Sequence, residues 1–230
     1  MQTIPPWKNI DTVLLDMDGT ILDKHFDDYF WEELVPTHFA IKHQLPIEVA
    51  KGQLLSKYRT AERTLRWTDI DYWSGQLGLD LCAMKEEIAD QVRVHPGVEP
   101  FLQFLQLGEK GMMLVTNAHP KTIEIKLRRT PLIPYFMAVL SSSDVGLPKE
   151  DIGFWYEAQR RLHFDKTRSL LIDDNEAALQ AAQAFGIEHL LFRSNASSRA
   201  VNGTSKLFSV LNDFRDIIPH QGNTEDLCHS

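Results

Sequence analysis

Residues 12–23 read TVLLDMDGTILD, a short apolar run that ends in two aspartates and a glycine. The run from Thr12 to Leu15 contains a single polar side chain, which is typical of a strand buried on both faces of a parallel sheet. Asp16 and Asp18 follow at its carboxyl end, and Gly19 begins a turn. Two neighbouring carboxylates repel each other and do not gain from burial, so each needs a partner of opposite charge. A bound cation is the simplest partner.

The same pattern, a short apolar run followed by polar residues, recurs along the chain. Further strands are predicted at 112–115, 136–140, 169–172 and 188–192. Helices with apolar residues at helical spacing are predicted at 98–107, 121–127, 154–162 and 177–185. Because strands and helices alternate, we expect an α/β fold with a Rossmann-like, doubly wound parallel sheet and right-handed crossovers.

The region from 22 to 95 breaks this alternation. It has no clear strand, it is rich in aromatic residues, and it reads as several helices that end at His95-Pro96-Gly97. An insert directly after the first strand would lie over the carboxyl edge of the sheet, where open α/β proteins bind ligands. We therefore expect a core domain of residues 1–21 and 96–220, an inserted all-helical cap of residues 22–95, and a flexible tail of residues 221–230.

Composition limits the classes of function. The chain has 230 residues, 43% of them hydrophobic, which is enough for one domain with an insert. The formal net charge of -8 argues against nucleic acid and acidic membranes as partners. There is no apolar run of about 18 residues and no secretory signal pattern. Cys82 and Cys228 are too few for a disulfide framework, so we expect a cytoplasmic protein. The sequence carries no signal for an oligomeric state.

Four short motifs occur in order, each at the end of a predicted strand or in a following loop. They are DMDGT at 16–20, Thr116-Asn117, Lys149 in GLPKE at 146–150, and Asp173-Asp174. Singly, the last three carry little information, since Thr-Asn often caps a helix or forms a turn, a lone lysine is usually solvated, and the two aspartates could cap the next helix. Together they resemble the motifs of the haloacid dehalogenase-like (HAD) phosphohydrolases, and the resemblance covers nearly the whole chain.

The resemblance implies hydrolysis of a phosphate ester through a phosphorylated enzyme. Asp16 is expected to be the nucleophile that forms an aspartyl phosphate. Asp18 is expected to be the general acid that protonates the leaving oxygen and then the general base that deprotonates water. Thr116, Asn117 and Lys149 are expected to bind the phosphoryl oxygens.

The resemblance also implies Mg²⁺ as the cofactor. The expected ligands are the Asp16 carboxylate, the Asp18 backbone carbonyl and the Asp174 carboxylate, while Asp173 would act indirectly or through a water molecule. Few carboxylates together with phosphate and water is the coordination that Mg²⁺ prefers. An EF-hand calcium loop fits poorly, because its glycine belongs at position six and Gly19 is at position four. A receiver-type signalling domain also ends strands in acids, but it lacks the second aspartate and an insert of this length.

Longer stretches point to a substrate. HFDDYFWEELVP, LRWTDIDYWSGQLGLDLCAM and LNDFRDIIP resemble bacterial purine 5'-nucleotidases that act on GMP and IMP, which implies a small-molecule nucleoside monophosphate as the substrate. In the predicted cap, Arg59, Arg63 and Trp67 recur every four residues and are therefore expected on one helical face. They either bind a base or a second anionic group of the substrate, or form a cation–π stack on the surface without a function. His119, two residues past Asn117, is a candidate to line the cleft.

Other functions remain compatible with these motifs. A phosphatase for a sugar phosphate or for phosphoglycolate would use the same residues, and a phosphomutase would also keep both aspartates. A non-catalytic protein that binds a phosphorylated ligand is a different class built on the same fold. The intact set of catalytic residue types argues against that last alternative.

Overall fold

The computed structural model describes residues 4–62 and 64–219. Within these ranges, six parallel strands form one sheet. The strands are β1 (Thr12–Leu15), β2 (Gly111–Thr116), β3 (Ala138–Ser141), β4 (Ser169–Asp173), β5 (His189–Arg193) and β6 (Ser209–Leu211). Their order is β3-β2-β1-β4-β5-β6, so the chain starts in the middle and winds outward in both directions. The predicted α/β fold with a doubly wound parallel sheet is confirmed.

The predicted strands correspond to β1 to β5 with small shifts at their ends. The largest shift is at β3, which begins at Ala138, two residues after the predicted start. The last strand, β6, was not predicted, because a run of three residues is too short to show a periodic pattern.

The register of the three central strands brings the sequence motifs to one edge. Leu15 of β1 pairs with Leu114 of β2 on one side and with Ile172 of β4 on the other. In parallel strands that end together, the residues that follow also lie together. The residues after β1, at the end of β2 and at the end of β4 therefore meet at the carboxyl edge.

Helices fill the chain between β1 and β2. They are α1 (His25–Tyr29), α2 (Val35–His43), α3 (Ile47–Arg59), α4 (Ile70–Leu77), α5 (Leu81–Glu87) and α6 (Val98–Leu107). A π-helical turn, Phe30–Leu34, joins α1 to α2. The first five helices lie in residues 22–95, called the cap segment below. This segment has an apolar cluster of its own, which includes Phe30, Leu54, Ile70 and Trp73.

The two ends of the cap segment pack against the sheet. Phe26 and Val92 belong to the apolar cluster that contains β1, not to the cluster of the cap segment. An isolated antiparallel bridge between Leu22 and Val94 brings the two chain crossings together. The helices of the cap segment are therefore tied to the core beside the end of β1.

The remaining helices pack on the sheet. They are α7 (Pro120–Arg128), α8 (Ser142–Val145), α9 (Ile152–Leu162) and α10 (Glu176–Phe185). Alternate residues of β1 point to opposite faces: Val13 clusters with Phe101 of α6, and Leu14 clusters with Trp155 of α9 and Leu179 of α10. The helices predicted at 98–107, 121–127, 154–162 and 177–185 correspond to α6, α7, α9 and α10 and are confirmed.

No helix within residues 4–62 and 64–219 is long and apolar enough to cross a membrane. Arg63, Cys228 and the predicted tail at 221–230 lie outside the described residues. The roles predicted for Arg63 and for the tail therefore stay predictions.

Candidate active site

Lys149 lies between two of the carboxylates singled out by the sequence. Asp16 directly follows β1, and its Oδ1 accepts a hydrogen bond from the Lys149 ammonium at 2.5 Å. The same ammonium donates to Asp173 Oδ2 at 2.7 Å. Lys149 is 2% exposed, and the Trp155 indole N–H donates to its backbone carbonyl at 2.8 Å, which fixes its position. A buried cation therefore offsets part of the negative charge at the ends of β1 and β4.

Asp174 approaches the turn that follows β1. Gly19 has a φ of +86°, and a Cβ at this residue would lie 2.4 Å from Asp174 Oδ2. Glycine is needed here both for the left-handed backbone and for the close approach of the carboxylate. One carboxylate oxygen each from Asp16, Asp173 and Asp174 lies within 4.8 Å of the other two. Three carboxylates thus face one another at the carboxyl edge of the sheet.

Lys149 does not balance the charge of this cluster completely. Burial raises the pKa of Asp16 to about 6, against the attraction of the Lys149 ammonium. The pKa of Asp174 is raised well above its ordinary value by burial and by the charges of Asp16 and Asp173. Asp16 Oδ2 is buried and has no hydrogen-bond partner among the described residues. A hard cation would meet this oxygen and offset the repulsion, so the residues fit Mg²⁺.

The two aspartates of the last motif differ in their hydrogen bonds. Both oxygens of Asp173 accept one, Oδ2 from Lys149 and Oδ1 from the Asn175 backbone N–H at 2.9 Å. Asp174 is half-buried, and its carboxylate faces Gly19. Among the described residues, Asp173 thus has both carboxylate oxygens in hydrogen bonds, and the assignment of Asp174 as the direct cation ligand and Asp173 as the indirect one stays a prediction.

Side-chain hydrogen bonds join the loops after β2, β3 and β4. Asn117 Oδ1 accepts from the Lys149 backbone N–H at 2.9 Å, and Asn117 Nδ2 donates to Glu150 at 2.9 Å. Glu150 also accepts from Asn175 Nδ2 at 2.6 Å. The Asn117 side chain is therefore occupied in holding the Lys149 loop, and its backbone N–H is the donor that remains for a phosphoryl oxygen. Thr116 Oγ1 accepts one backbone hydrogen bond at 3.1 Å, which leaves its own O–H free to donate.

Asn175 and Glu150 were missed by the sequence analysis. Their only signal was position, since Glu150 ends the GLPKE motif directly after Lys149 and Asn175 directly follows Asp174. Asn175 is also the N-cap of α10, where its side chain accepts from the N–H groups of Ala177 and Ala178. The alternative in which Asp173-Asp174 caps this helix is therefore wrong, because the amide side chain of the next residue takes that position.

Asp18 has a partner that the sequence motifs did not include. Its Oδ1 accepts from the ammonium of Lys126, in α7, at 2.5 Å. Burial raises the pKa of Asp18 to about 6, and the Lys126 charge opposes this rise. Lys126 also donates to Asp27 in α1, and Lys85 in α5 donates to Asp27 at 2.7 Å. No spacing or motif signals these contacts, because they join residues that are far apart in the chain.

One cavity of about 710 Å³ connects these groups with the cap segment. Its core side includes Asp16, Asp18, Thr116, Asn117, Lys149, Asp173 and Asp174. Its cap side includes Trp31, Leu55, Tyr58, Glu62, Trp67 and Trp73. All seven core residues that the sequence singled out therefore line the same space, opposite an aromatic wall.

Comparison with known proteins decides the family. A family model described as haloacid dehalogenase-like hydrolase matches residues 10–186. The chain is a HAD-like hydrolase. The family resemblance and the enzyme class expected from the sequence are confirmed.

Two curated proteins and one solved structure illustrate the similarity of this HAD-like hydrolase. It is 40% identical over 213 residues to GMP/IMP nucleotidase YrfG of Escherichia coli strain K12, covering 93% of this chain and 96% of that protein. It is 24% identical over 217 residues to phosphoglycolate phosphatase of Pseudomonas syringae pv. tomato, covering 90% and 78%. The crystal structure of a HAD phosphatase from Thermococcus onnurineus matches with a TM-score of 0.78 at 20% identity, covering 90% and 96%.

Arg59 and Trp67 do not share the helical face that their spacing predicted, and Arg63 between them lies outside the described residues. Helix α3 of this HAD-like hydrolase ends at Arg59, and Trp67 lies in a separate 3₁₀ turn, Leu65–Trp67. The Thr60 and Thr64 hydroxyls donate to carbonyls three residues earlier, at 2.7 Å each, and such local bonds compete with the helix.

The residues of that predicted face differ in their relation to the cavity. Arg59 is exposed and is not part of the cavity lining, whereas Trp67 lines the cavity and is 44% exposed. The hydroxyl of Thr68 donates to the Asn117 carbonyl at 2.5 Å, so the segment carrying Trp67 is tied to the loop after β2.

His119 lines the cavity, as the sequence analysis suggested. Its Nδ1 accepts from the Lys121 backbone N–H at 3.4 Å, which makes it the N-cap of α7. Thr116 and Asn117, for which helix capping was the alternative, do not occupy that position. His119 of the HAD-like hydrolase thus has a structural role at the edge of the site.

Proposed function

We propose that this HAD-like hydrolase is a Mg²⁺-dependent phosphatase that acts on purine nucleoside 5'-monophosphates such as GMP and IMP. One observation carries the proposal. Asp16, with one oxygen held by Lys149 and the other without a hydrogen-bond partner among the described residues, lines the same cavity as Asp18 and the cap aromatics. A nucleophile, an acid and an apolar wall thus surround one space.

The first chemical step transfers the phosphoryl group to the enzyme. An Asp16 oxygen forms a bond to phosphorus while the bond from phosphorus to the ester oxygen breaks. Asp18 gives its proton to the departing oxygen, which would otherwise leave as an unstable alkoxide. Burial raises the pKa of Asp18, which favours the protonated form that a general acid requires.

The second step restores the enzyme. Asp18, now a carboxylate, takes a proton from a water molecule, whose oxygen attacks phosphorus as the bond to Asp16 breaks. Lys149 stays beside Asp16 in both steps and offsets the charge of the phosphoryl oxygens. The free Thr116 hydroxyl proton is a further donor to these oxygens.

Asp16 and Asp174, together with the Asp18 carbonyl, would hold the Mg²⁺ ion. The unpartnered oxygen of Asp16 and the raised pKa of Asp174 both favour a cation at this point. When bound, the ion supplies positive charge to the phosphoryl oxygens. Asp173 and Lys149 keep the two ligand-bearing loops in register.

The cap side of the cavity suits a purine base. Four aromatic side chains line it, namely Trp31, Tyr58, Trp67 and Trp73. Tyr58 and Trp73 are perpendicular with ring centres 5.0 Å apart, so this wall is packed. Stacking of a base on an exposed aromatic face contributes about 1–3 kcal/mol. A volume of about 710 Å³ also exceeds the needs of a small ester such as phosphoglycolate.

Acidic side chains on the same side favour oxo-purines. Glu32 and Glu62 line the cavity, and a carboxylate can only accept hydrogen bonds. Guanine and hypoxanthine carry an N1–H donor where adenine has an acceptor. Glu32 and Glu62 are both exposed, and a carboxylate facing N1 would pair with the N1–H of guanine or hypoxanthine but would meet the N1 acceptor of adenine without a hydrogen bond, which disfavours AMP.

The experiment is phosphate release from a panel of esters, with wild type and Asp16→Asn measured together. The panel contains GMP, IMP, AMP, pyrimidine nucleotides, phosphoglycolate and sugar phosphates, each with Mg²⁺ and with EDTA. We expect GMP and IMP to lead in kcat/KM by about tenfold, or about 1.4 kcal/mol, and EDTA and Asp16→Asn to abolish turnover. Preference for phosphoglycolate or a sugar phosphate would overturn the substrate, and activity in folded Asp16→Asn would overturn the nucleophile.

A further inference from the structure

A buried chain of four charged groups leads from Asp18 into the cap segment. Lys126 donates to Asp18 Oδ1 at 2.5 Å and also to Asp27 Oδ2. Asp27 Oδ1 in turn accepts from Lys85 at 2.7 Å. The two lysine side chains are 1% and 2% exposed, and the Asp27 side chain is 17% exposed. Two cations and two anions thus alternate, from the two buried lysines to Asp18, whose side chain is 24% exposed where it lines the cavity.

The surroundings hold these charges in place. Phe26 lies against both ammonium groups, with its ring centre 5.2 Å from Lys126 Nζ and 5.0 Å from Lys85 Nζ. Lys85 Nζ is also 4.4 Å from the ring centre of Phe30. Burial alone would lower the pKa of Lys126, but the Asp18 and Asp27 carboxylates hold it above its usual value. Lys126 is therefore a charged donor of fixed direction.

We propose that Lys126 is a positioning residue that orients Asp18 for proton transfer, and that Asp27 of the cap segment holds Lys126 in that position. This inference rests on the acid–base role of Asp18 in the proposed function. The motifs assign no role to Lys126, Asp27 or Lys85.

The chemistry of the ammonium decides which Asp18 oxygen carries the proton. A lysine ammonium has three donors and no acceptor, so the oxygen that it contacts must accept. Oδ1 is therefore committed to Lys126, and the proton of the acid form lies on Oδ2. In the first step the Oδ2–H bond breaks and the leaving oxygen takes the proton. In the second step water returns a proton to Oδ2.

Asp27 makes this orientation depend on the cap segment. Lys126 lies in α7 of the core, whereas Asp27 and Lys85 lie in α1 and α5. Because the Lys126 ammonium contacts Asp18 and Asp27 together, the position of Asp27 helps to set where that ammonium lies beside Asp18. A network that only joined the cap segment to the core would not need a contact with the general acid Asp18.

The test compares substrates that differ in their need for a proton. A nucleoside 5'-alkoxide is a poor leaving group, whereas p-nitrophenolate leaves without protonation. We expect Lys126→Met to lower kcat/KM for GMP by about 10- to 100-fold and for p-nitrophenyl phosphate by less than about threefold. kcat/KM is the right parameter, because it reports the barrier up to departure of the leaving group. Equal losses with both substrates would return Lys126 to a purely structural role.

Two further variants, Asp18→Asn and Lys121→Met, make the outcome of this test decisive. Asp18→Asn should give the same dependence on the leaving group; if it does not, the acid role in the proposed function fails, independently of Lys126. If Asp18→Asn gives the dependence and Lys126→Met does not, only the present inference fails. Lys121→Met is the matched control, because it removes a lysine of α7 that also pairs with a cap carboxylate, Asp71, but at the surface. We expect it to leave both activities unchanged.

The conservative variant Asp27→Asn keeps the test open if Lys126→Met does not fold. It leaves the Lys126–Asp18 hydrogen bond available but replaces the Asp27 carboxylate, which accepts from both lysines, with a neutral amide that has a single acceptor oxygen. We expect a loss of about three- to tenfold with GMP and a smaller loss with p-nitrophenyl phosphate. A folded Asp27→Asn enzyme that loses activity equally on both substrates would overturn the proposed link to the cap segment.

Discussion

The α-carbon of Gly19 lies against the carboxylate of Asp174, so closely that a Cβ at Gly19 would be 2.4 Å from Oδ2. Gly19→Ala must therefore displace Asp174 as well as strain a backbone with φ of +86°. We expect the variant to lose at least about 100-fold in kcat/KM, because a displacement of about 1 Å at the reacting groups has an effect of that size. Steady-state kinetics with GMP and a thermal melt check this.

Gly52→Ala is the matched control for Gly19→Ala. Gly52 lies inside α3, and apart from its chain neighbours and the backbone of its own helix, no described atom lies within 4 Å of a Cβ built there. We expect this substitution to stabilise the protein by about 0.5–1 kcal/mol, since alanine is a better helix former, and to leave kinetics unchanged. If Gly19→Ala kept wild-type activity, the close approach of the Asp174 carboxylate to Gly19 would not be needed for catalysis.

Binding of Mg²⁺ should raise the melting temperature without any substrate. The carboxylates of Asp16, Asp173 and Asp174 repel one another, and a cation bound only by the folded protein would offset that repulsion. At a concentration 100 times the dissociation constant, the expected gain in unfolding free energy is about 2.7 kcal/mol. A melting series against Mg²⁺ at pH 7 measures it. Asp174→Asn should abolish the increase. If the melting temperature of the wild type did not change with Mg²⁺ concentration, the proposed metal site would be contradicted.

Asp27 should contribute stability that disappears in acid. Burial works against its charge, but Lys126 and Lys85 outweigh burial and hold its pKa well below the ordinary value. A lowered pKa stabilises the folded state above the unfolded pKa of about 4, and that stability is lost as the pH falls toward the folded pKa. Asp27→Asn should therefore cost about 3–5 kcal/mol at pH 7 and progressively less below pH 4.

Urea unfolding of wild type and Asp27→Asn at several pH values tests this dependence. Glu157→Gln is the control, because Glu157 pairs with Arg160 and Arg161 at the surface, where ion pairs contribute little. We expect its unfolding curve to follow that of wild type. If the difference in unfolding free energy between Asp27→Asn and wild type stayed constant down to pH 3, the charge of Asp27 would not be what stabilises the folded protein.

The core of the site could be predicted from the sequence because two simple rules place it. Apolar runs predict parallel strands, and the residues after such strands meet at one edge. Asp16, Thr116 and Asp173 follow directly from these rules. The Lys126–Asp27 contact could not be predicted, since it joins residues 99 apart on helices whose relative position depends on packing of the whole cap segment.

The error in the cap segment has a local cause. Regular spacing of Arg59, Arg63 and Trp67 predicts one helical face only if the helix continues. Thr60 and Thr64 instead use their hydroxyls on nearby carbonyls, and the chain turns after α3. The spacing of residues along the sequence does not reveal such competition between side-chain and backbone hydrogen bonds.

Trp67 is the cap residue for which we expect an effect on the substrate. It is 44% exposed, it lines the cavity, and Thr68 ties its segment to Asn117. Trp67→Leu should raise KM for GMP about tenfold with kcat nearly unchanged, because lost stacking weakens ground state and transition state alike. Hydrolysis of p-nitrophenyl phosphate should be unaffected. Arg59→Ala, which removes an exposed side chain outside the cavity lining, is the control and should change neither parameter. Equal losses with GMP and p-nitrophenyl phosphate in Trp67→Leu would assign Trp67 to the packing of the cap segment instead of to the base.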